Sequence, residues 1–131
     1  MGEVTRRGIL DTSVLIAEEI TPIPGELAIS VISIAELQFG VLVAKSPAVQ
    51  AVRLARLSAI QRRFEPLPVD DAVADSYAGL AAAVVRAGRQ SRARTMDLLI
   101  AATAVAHSAA VYTRIADDFI GLEHLVDVIA L

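Results

Sequence analysis

Short apolar runs alternate along this chain with longer stretches of helical periodicity, and no other feature limits its possible folds so tightly. The runs fall at residues 8–10, 27–30, 64–69, 110–113 and 126–129. Each is of strand length and too short for a helix. Between them the pattern predicts helices from about Ser13, then over 33–44, 47–63, 70–87 and 95–108, with the TPIPGE segment at 21–26 as a loop by its prolines and glycine. Strands separated by helices imply right-handed crossovers. The expected fold class is therefore α/β, a mainly parallel central sheet with helices on both faces. At 131 residues a single domain spanning 1–131 is the expectation.

Some details follow from the residues themselves. The segment at 64–69 carries Pro66 and Pro68, which confines any strand there to an edge or to few ladder bonds. In the helix at 47–63 the expected inward residues are Val49, Val52, Leu54, Leu57 and Ile60. In the helix at 95–108 they are Met96, Leu99, Ile100, Thr103 and Ala104. Hydrophobic residues make up 55% of the chain and aromatic ones only 4%, so the core must be built from Ala, Val, Leu and Ile.

Composition also excludes several classes of function. There is no cysteine, which removes a disulfide framework, a thiolate zinc site and a cysteine nucleophile together, and makes reducing cytoplasm the natural compartment. Asp11 interrupts the apolar stretch after Arg6 and Arg7 before a signal-peptide core can form. The longest apolar run, 27–44, has Glu36 near its middle, so no membrane span is expected. A net charge of −3 does not fit a general nucleic-acid coat protein. Basic residues are nonetheless concentrated at 86–94, RAGRQSRAR, where four arginines fall in nine residues. As a charge run alone this is an ordinary solvated loop.

The acids carry the functional signal. Asp11 follows the first strand directly and so stands at the carboxyl edge of the sheet, where sites in such folds lie. It also suits a helix N-cap, a role Thr12 or Ser13 fills equally well. Glu36 sits in SVISIAEL, where Ser33 and Glu36 are spaced as a capping box. Its helix begins just after the second strand, again at that edge. Asp97 lies in the first turn of a helix whose dipole favours an anion. Asp117 and Asp118 follow the strand ending at Thr113. Each acid has a structural explanation, yet the topology sends all of them to one rim. Several carboxylates in one pocket repel one another unless a cation compensates, and hard oxygen donors point to Mg²⁺ or Mn²⁺.

The series ILDTS (9–13), SIAEL (33–37), DLLIAATA (97–104) and TRIADDF (113–119) resembles the PIN domain, and more narrowly the toxin ribonuclease of VapBC-type toxin–antitoxin modules. The similarity in motif order and length covers essentially the whole chain. The resemblance implies that Asp11, Glu36, Asp97 and Asp118 are the acids that hold Mg²⁺ or Mn²⁺, Asp118 being chosen over Asp117 because it directly precedes Phe119. Thr12, Ser13, Thr113 and Asp117 are expected beside them. The family often has Asn two positions after the Thr of its TRN segment. Here that position is Ile115, which removes a side-chain amide able to order the loop.

The implied reaction is hydrolysis of an RNA phosphodiester by water activated at a divalent metal, without the 2′-OH as nucleophile, giving 5′-phosphate and 3′-hydroxyl ends. No histidine is required. His107 reads as a late-helix residue and His124 as a surface loop residue. Arg92, Arg94 and Arg114 are candidates for positioning RNA phosphate, and Arg62 and Arg63 solvate a helix end. The resemblance further implies a cognate antitoxin protein lying in an apolar groove near the first helices, and a homodimer. The rival within the same fold is a PIN-like binding module without nuclease activity. A receiver-type signalling domain would need paired acids after the first strand and a late Lys, and Lys45 is the only lysine.

Overall fold

The computed structural model describes residues 6–18 and 22–131. Residues 1–5 and 19–21, including Glu19 and the start of the expected 21–26 loop, lie outside the described residues. Four strands form one sheet: β1 (Arg7–Leu10), β2 (Glu26–Ala28), β3 (Ala110–Thr113) and β4 (Val128–Ala130), in the order β2-β1-β3-β4 with every pairing parallel. The helices are α1 (Thr12–Leu15), α2 (Val31–Leu42), α3 (Pro47–Arg63), α4 (Asp71–Arg86) and α5 (Thr95–Ala106), with 3-10 turns at Arg92–Arg94 and Ala116–Phe119.

Alternation along β1 and β3 divides the core in two. Ile9 and Val111 face a cluster with Val73, Leu80 and Val84 of α4 and Leu98 and Ala101 of α5. Leu10, Ala110 and Tyr112 face the opposite cluster, with Ile34 and Leu37 of α2 and Leu57 and Ile60 of α3. The sheet is thus covered on both faces, which its near-continuous apolar strands require. Gly8 is needed in β1 for a steric reason, since a Cβ there would lie 2.7 Å from Tyr112 Cδ2.

Apart from small shifts in strand limits, the structure departs from the sequence reading at four places. Residues 64–69 form no strand but a single bridge, Ser30 to Leu67, with Leu67 N–H donating to Ile29 O (2.8 Å) and Leu67 O accepting from Val31 N–H (2.9 Å). Pro66 and Pro68 have no N–H to add further rungs. In α3, Leu57 and Ile60 are buried as expected, whereas Val49, Val52 and Leu54 are exposed. A helix of 17 residues is about 25 Å long and a strand of 4 about 13 Å, so the front half of α3 runs past the sheet. In α5, Met96 is exposed and the buried side is Leu98 and Ile100 to Ala104, because apolar residues occur on every side of this helix. The fourth departure concerns caps. Ser30, not Ser33, caps α2, its Oγ accepting from Ile32 N–H (3.0 Å). Glu36 does not turn back to close a capping box.

The order β2-β1-β3-β4 places the switch in winding direction between β1 and β3. The chain leaves β1 toward β2 and leaves β3 toward β4. Ligands of open α/β sheets bind in the crevice beyond the carboxyl ends of such a strand pair. Asp11 and the Thr113–Phe119 segment occupy that crevice. No helix among the described residues is long and apolar enough to cross a membrane.

Candidate active site

Asp11 is 4% exposed, a buried carboxylate at the end of a buried strand. Its backbone N–H donates to Tyr112 O (3.1 Å), which extends the β1–β3 ladder by one rung and fixes where the residue stands. Asp11 itself is the N-cap of α1, a role the sequence left open to Thr12 or Ser13. Asp11 Oδ1 accepts from Val14 N–H (3.3 Å) and from Ser13 Oγ–H (2.5 Å). Both bonds fall on Oδ1, leaving Oδ2 for a ligand.

Ser13 also stitches two loops together. It accepts from the Arg114 N–H (2.9 Å) and lies 3.4 Å from Thr113 Oγ1, which accepts from Ile115 N–H (3.0 Å). The Ser13 proton is committed to Asp11, so Thr113 is the donor of any bond between the two hydroxyls. Thr12 serves the second acid. Its Oγ1–H donates to Glu36 Oε1 (2.7 Å), and Ser33 Oγ, fully buried, lies 3.0 Å from Thr12 Oγ1. Because Thr12 has one proton and gives it to Glu36, Ser33 must be the donor to Thr12. A relay from Ser33 through Thr12 thus fixes the Glu36 carboxylate.

Asp97 occupies the first turn of α5 and is partly buried. Its pKa is raised from 3.8 to about 6, first by burial and then by the negative charges of Asp118, Glu36 and Asp11, with Arg94 acting in the opposite direction. The carboxylates named on the four elements therefore share one electrostatic field. They do not form a closed cage: among the described residues no group of three or more acids or histidines is close enough to surround a metal ion. Oxygen donors gathered around a carboxyl whose pKa burial and neighbouring acids raise to about 6 suit a hard divalent cation, and Mg²⁺ retains several waters rather than demanding a full protein cage.

Asp118 lies in the 3-10 turn Ala116–Phe119 and is partly buried, while Asp117 beside it is exposed. Fully buried Phe119 anchors the turn in the core. Arg94 donates to Asp117 O (2.8 Å) and Ile120 O (3.2 Å), so two arms of a side chain expected to meet phosphate are already engaged. Spacing along the chain carries no sign of this contact, which spans more than twenty residues. Arg92 and Arg114 are exposed. His107 follows α5, where its carbonyl accepts from Arg7, and His124 is exposed.

Beside the rim runs a groove of about 500 Å³. Val14, Leu15, Ile23, Ile60 and Phe64 give it an apolar lining, and Arg56, Arg63 and Arg114 add positive charge. Arg114 borders both the groove and, through its backbone bond to Ser13, the acidic crevice. Arg63 additionally stacks over Phe64, 5.4 Å from the ring centre.

A parallel sheet carrying acids at its switch point is the architecture of a PIN domain, and the PIN-domain family model matches residues 9–117. The chain belongs to the PIN-domain family. It is 40% identical over 129 residues to ribonuclease VapC5 of Mycobacterium tuberculosis, covering 94% of this chain and 93% of that protein. To ribonuclease VapC4 of the same organism it is 41% identical over 115 residues, 83% of this chain and 86% of the other. Among solved structures it superimposes with a TM-score of 0.82 and 39% identity on a chain from the crystal structure of VapBC-5, a member of the VapBC family of toxin–antitoxin systems from M. tuberculosis, covering 95% of this chain and 97% of that one.

Proposed function

We propose that this protein is a Mg²⁺- or Mn²⁺-dependent endoribonuclease, the growth-inhibiting toxin of a toxin–antitoxin pair, acting in the cytoplasm. The observation that carries this reading is the gathering of acids around Asp97, whose pKa is raised to about 6 first by burial and then by the charges of Asp118, Glu36 and Asp11 from three other segments. The names of the similar ribonucleases support RNA as the substrate. Asp11, Glu36, Asp97 and Asp118 are the residues that would hold the ion. When bound, the ion lowers the pKa of the attacking water and neutralises charge on the phosphoryl oxygens.

The chain's own groups do the positioning. Ser13 and the α1 backbone turn Asp11 Oδ1 away from the ligand side, and the Ser33–Thr12 relay orients Glu36. Exposed Arg92 and Arg114 are the proposed phosphate contacts, which an acidic crevice needs in order to admit a polyanion. In this reading water is the nucleophile, and the hydroxyls nearest the acids are engaged as donors, Ser13 to Asp11 and Thr12 to Glu36. The products carry 5′-phosphate and 3′-hydroxyl ends.

For regulation, the apolar groove beside α1 and α3 is suited to the antitoxin's peptide segment, and its border at Arg114 brings such a segment to the edge of the crevice. The toxin is expected to be a homodimer. The deciding experiment incubates purified protein with RNA in Mg²⁺ or Mn²⁺, with and without a chelator, beside an Asp11→Asn variant. Metal-dependent cleavage lost in the variant supports the enzyme. Absence of cleavage by the unaltered chain, where a known family member cuts the same RNA, leaves a PIN-like binding module instead.

A further inference from the structure

Asp118 rides on a segment with little of its own to hold it. Arg114, Ile115, Ala116 and Asp117 are all exposed. The turn has Thr113 at its start and buried Phe119 at its end, joined by the bonds Asp118 N–H to Ile115 O (3.0 Å) and Ile120 N–H to Asp117 O (3.3 Å). The Ile115 side chain, 50% exposed, can make no hydrogen bond and adds no core packing where the family often has an amide.

The remaining support for the turn comes from outside it. Arg94 Nη2 donates to Asp117 O and Nη1 to Ile120 O, so one planar guanidinium grips the carbonyls on both sides of the Asp118–Phe119 pair. Arg94 is also the residue at the head of α5, three before Asp97, and its side chain does not cap its own helix. It therefore connects the backbone of one acid to the first helical turn of another. Two donors at a fixed spacing are a property of guanidinium and not of an ammonium group.

We infer that Arg94 is a positioning residue for Asp118, ordering the turn from outside in place of the side-chain amide that Ile115 lacks, and is not a phosphate contact. The inference rests on the reading of Asp118 as a site acid. It assigns Arg94 an effect on metal affinity and on turnover, whereas a phosphate contact acts on the KM for RNA.

The test compares Arg94→Ala, Arg94→Lys, the double variant Arg94→Ala with Ile115→Asn, and Asp118→Asn, each checked for folding by circular dichroism. In metal-free protein, amide hydrogen exchange over 114–120 should quicken about tenfold in both single Arg94 variants, as for a turn released from its tie. The Mg²⁺ concentration for half-maximal cleavage should rise about 10-fold or more, in the range lost with outer-shell partners. KM for RNA should stay within about twofold, as expected when a substrate contact is not removed. The double variant should recover slow exchange and most activity. An Arg94→Lys protein with normal exchange and metal response overturns the inference, as does an Arg94→Ala protein altered only in KM, or a double variant that recovers nothing. A fully active Asp118→Asn overturns the reading of Asp118 beneath it. An impaired Asp118→Asn beside a normal Arg94→Ala overturns the inference alone.

Discussion

Thr12 Oγ1 donates to Glu36 Oε1 across 2.7 Å, and this single bond joins the turn after β1 to the second turn of α2. Thr12→Val keeps the shape and removes the proton. The variant should fold, lose about 1.5–3 kcal/mol of stability in keeping with a hydrogen bond to a charged group, and need roughly 10-fold more Mg²⁺ for half-maximal cleavage. Thr12→Ser, which retains the hydroxyl, should behave nearly as the parent. Urea unfolding and a Mg²⁺ titration check both statements.

Asp97→Asn should reduce cleavage by more than about 100-fold, beyond what loss of an outer-shell group costs. Its effect on the metal-free fold has the opposite sign. Asp97 binds its proton more tightly folded than unfolded, so it adds stability below its ordinary pKa of 3.8, and that contribution is lost as pH rises through about 6. Replacing it with a neutral amide should therefore raise the Tm of the metal-free protein at pH 7.5 by a few degrees, roughly what a change near 1 kcal/mol produces, and should not raise it at pH 4. Thermal melts in chelator at the two pH values decide this.

Metal affinity should follow the same group. Binding requires the Asp97 carboxylate, so Mn²⁺ affinity should be flat above about pH 7 and fall about tenfold per pH unit well below 6. Calorimetry in two buffers of different ionisation enthalpy should detect protons released on binding near pH 6. A flat profile down to pH 5 would remove Asp97 from the site.

The groove makes a prediction that leaves cleavage untouched. Leu15→Asp introduces a charge among Val14, Ile23 and Phe64 without touching the acids. It should cut RNA within about twofold of the parent, as for a change away from the reacting groups. It should also escape neutralisation when the cognate antitoxin is co-expressed. Growth curves with and without the antitoxin test the second statement.

Gly8 supplies a stability prediction. A methyl group there meets Tyr112, itself only 5% exposed and packed in the core. Gly8→Ala should cost about 1–3 kcal/mol, the usual range for overpacking. Denaturant midpoints measure it.

Much of this fold was legible because apolar runs report buried strands directly. β3 lies where the run at 110–113 put it, and β1 gained only Arg7. The limits of β2 and β4 shifted because pairing partners, not local pattern, decide where a ladder ends: Ile29 turns its carbonyl to Leu67 instead of to a neighbouring strand. The α3 stripe failed for a related reason. Periodicity tells which side of a helix is apolar, and says nothing of how far the helix outruns the sheet. At the crevice, the carboxylates named from motif order do feel one another at Asp97. The groups that orient them were only partly visible. Thr12 and Ser13 were noted as neighbours from adjacency, but Ser33 read as a cap, and Arg94 read as a candidate phosphate contact. Their actual partners lie across the fold, where spacing along the chain carries no information.

The bond from Arg114 N–H to Ser13 Oγ joins positions 101 residues apart. It closes beside β3, an interior strand of the sheet that is synthesised late. Until β3 is made, β1 lacks that neighbour. A truncated chain ending before Ala110 lacks the strand that positions Asp11, as well as the segment bearing Asp118. Such a fragment is therefore expected to have no formed crevice, because β1 must pair with β3 before Asp11 and the 113–119 segment share one rim.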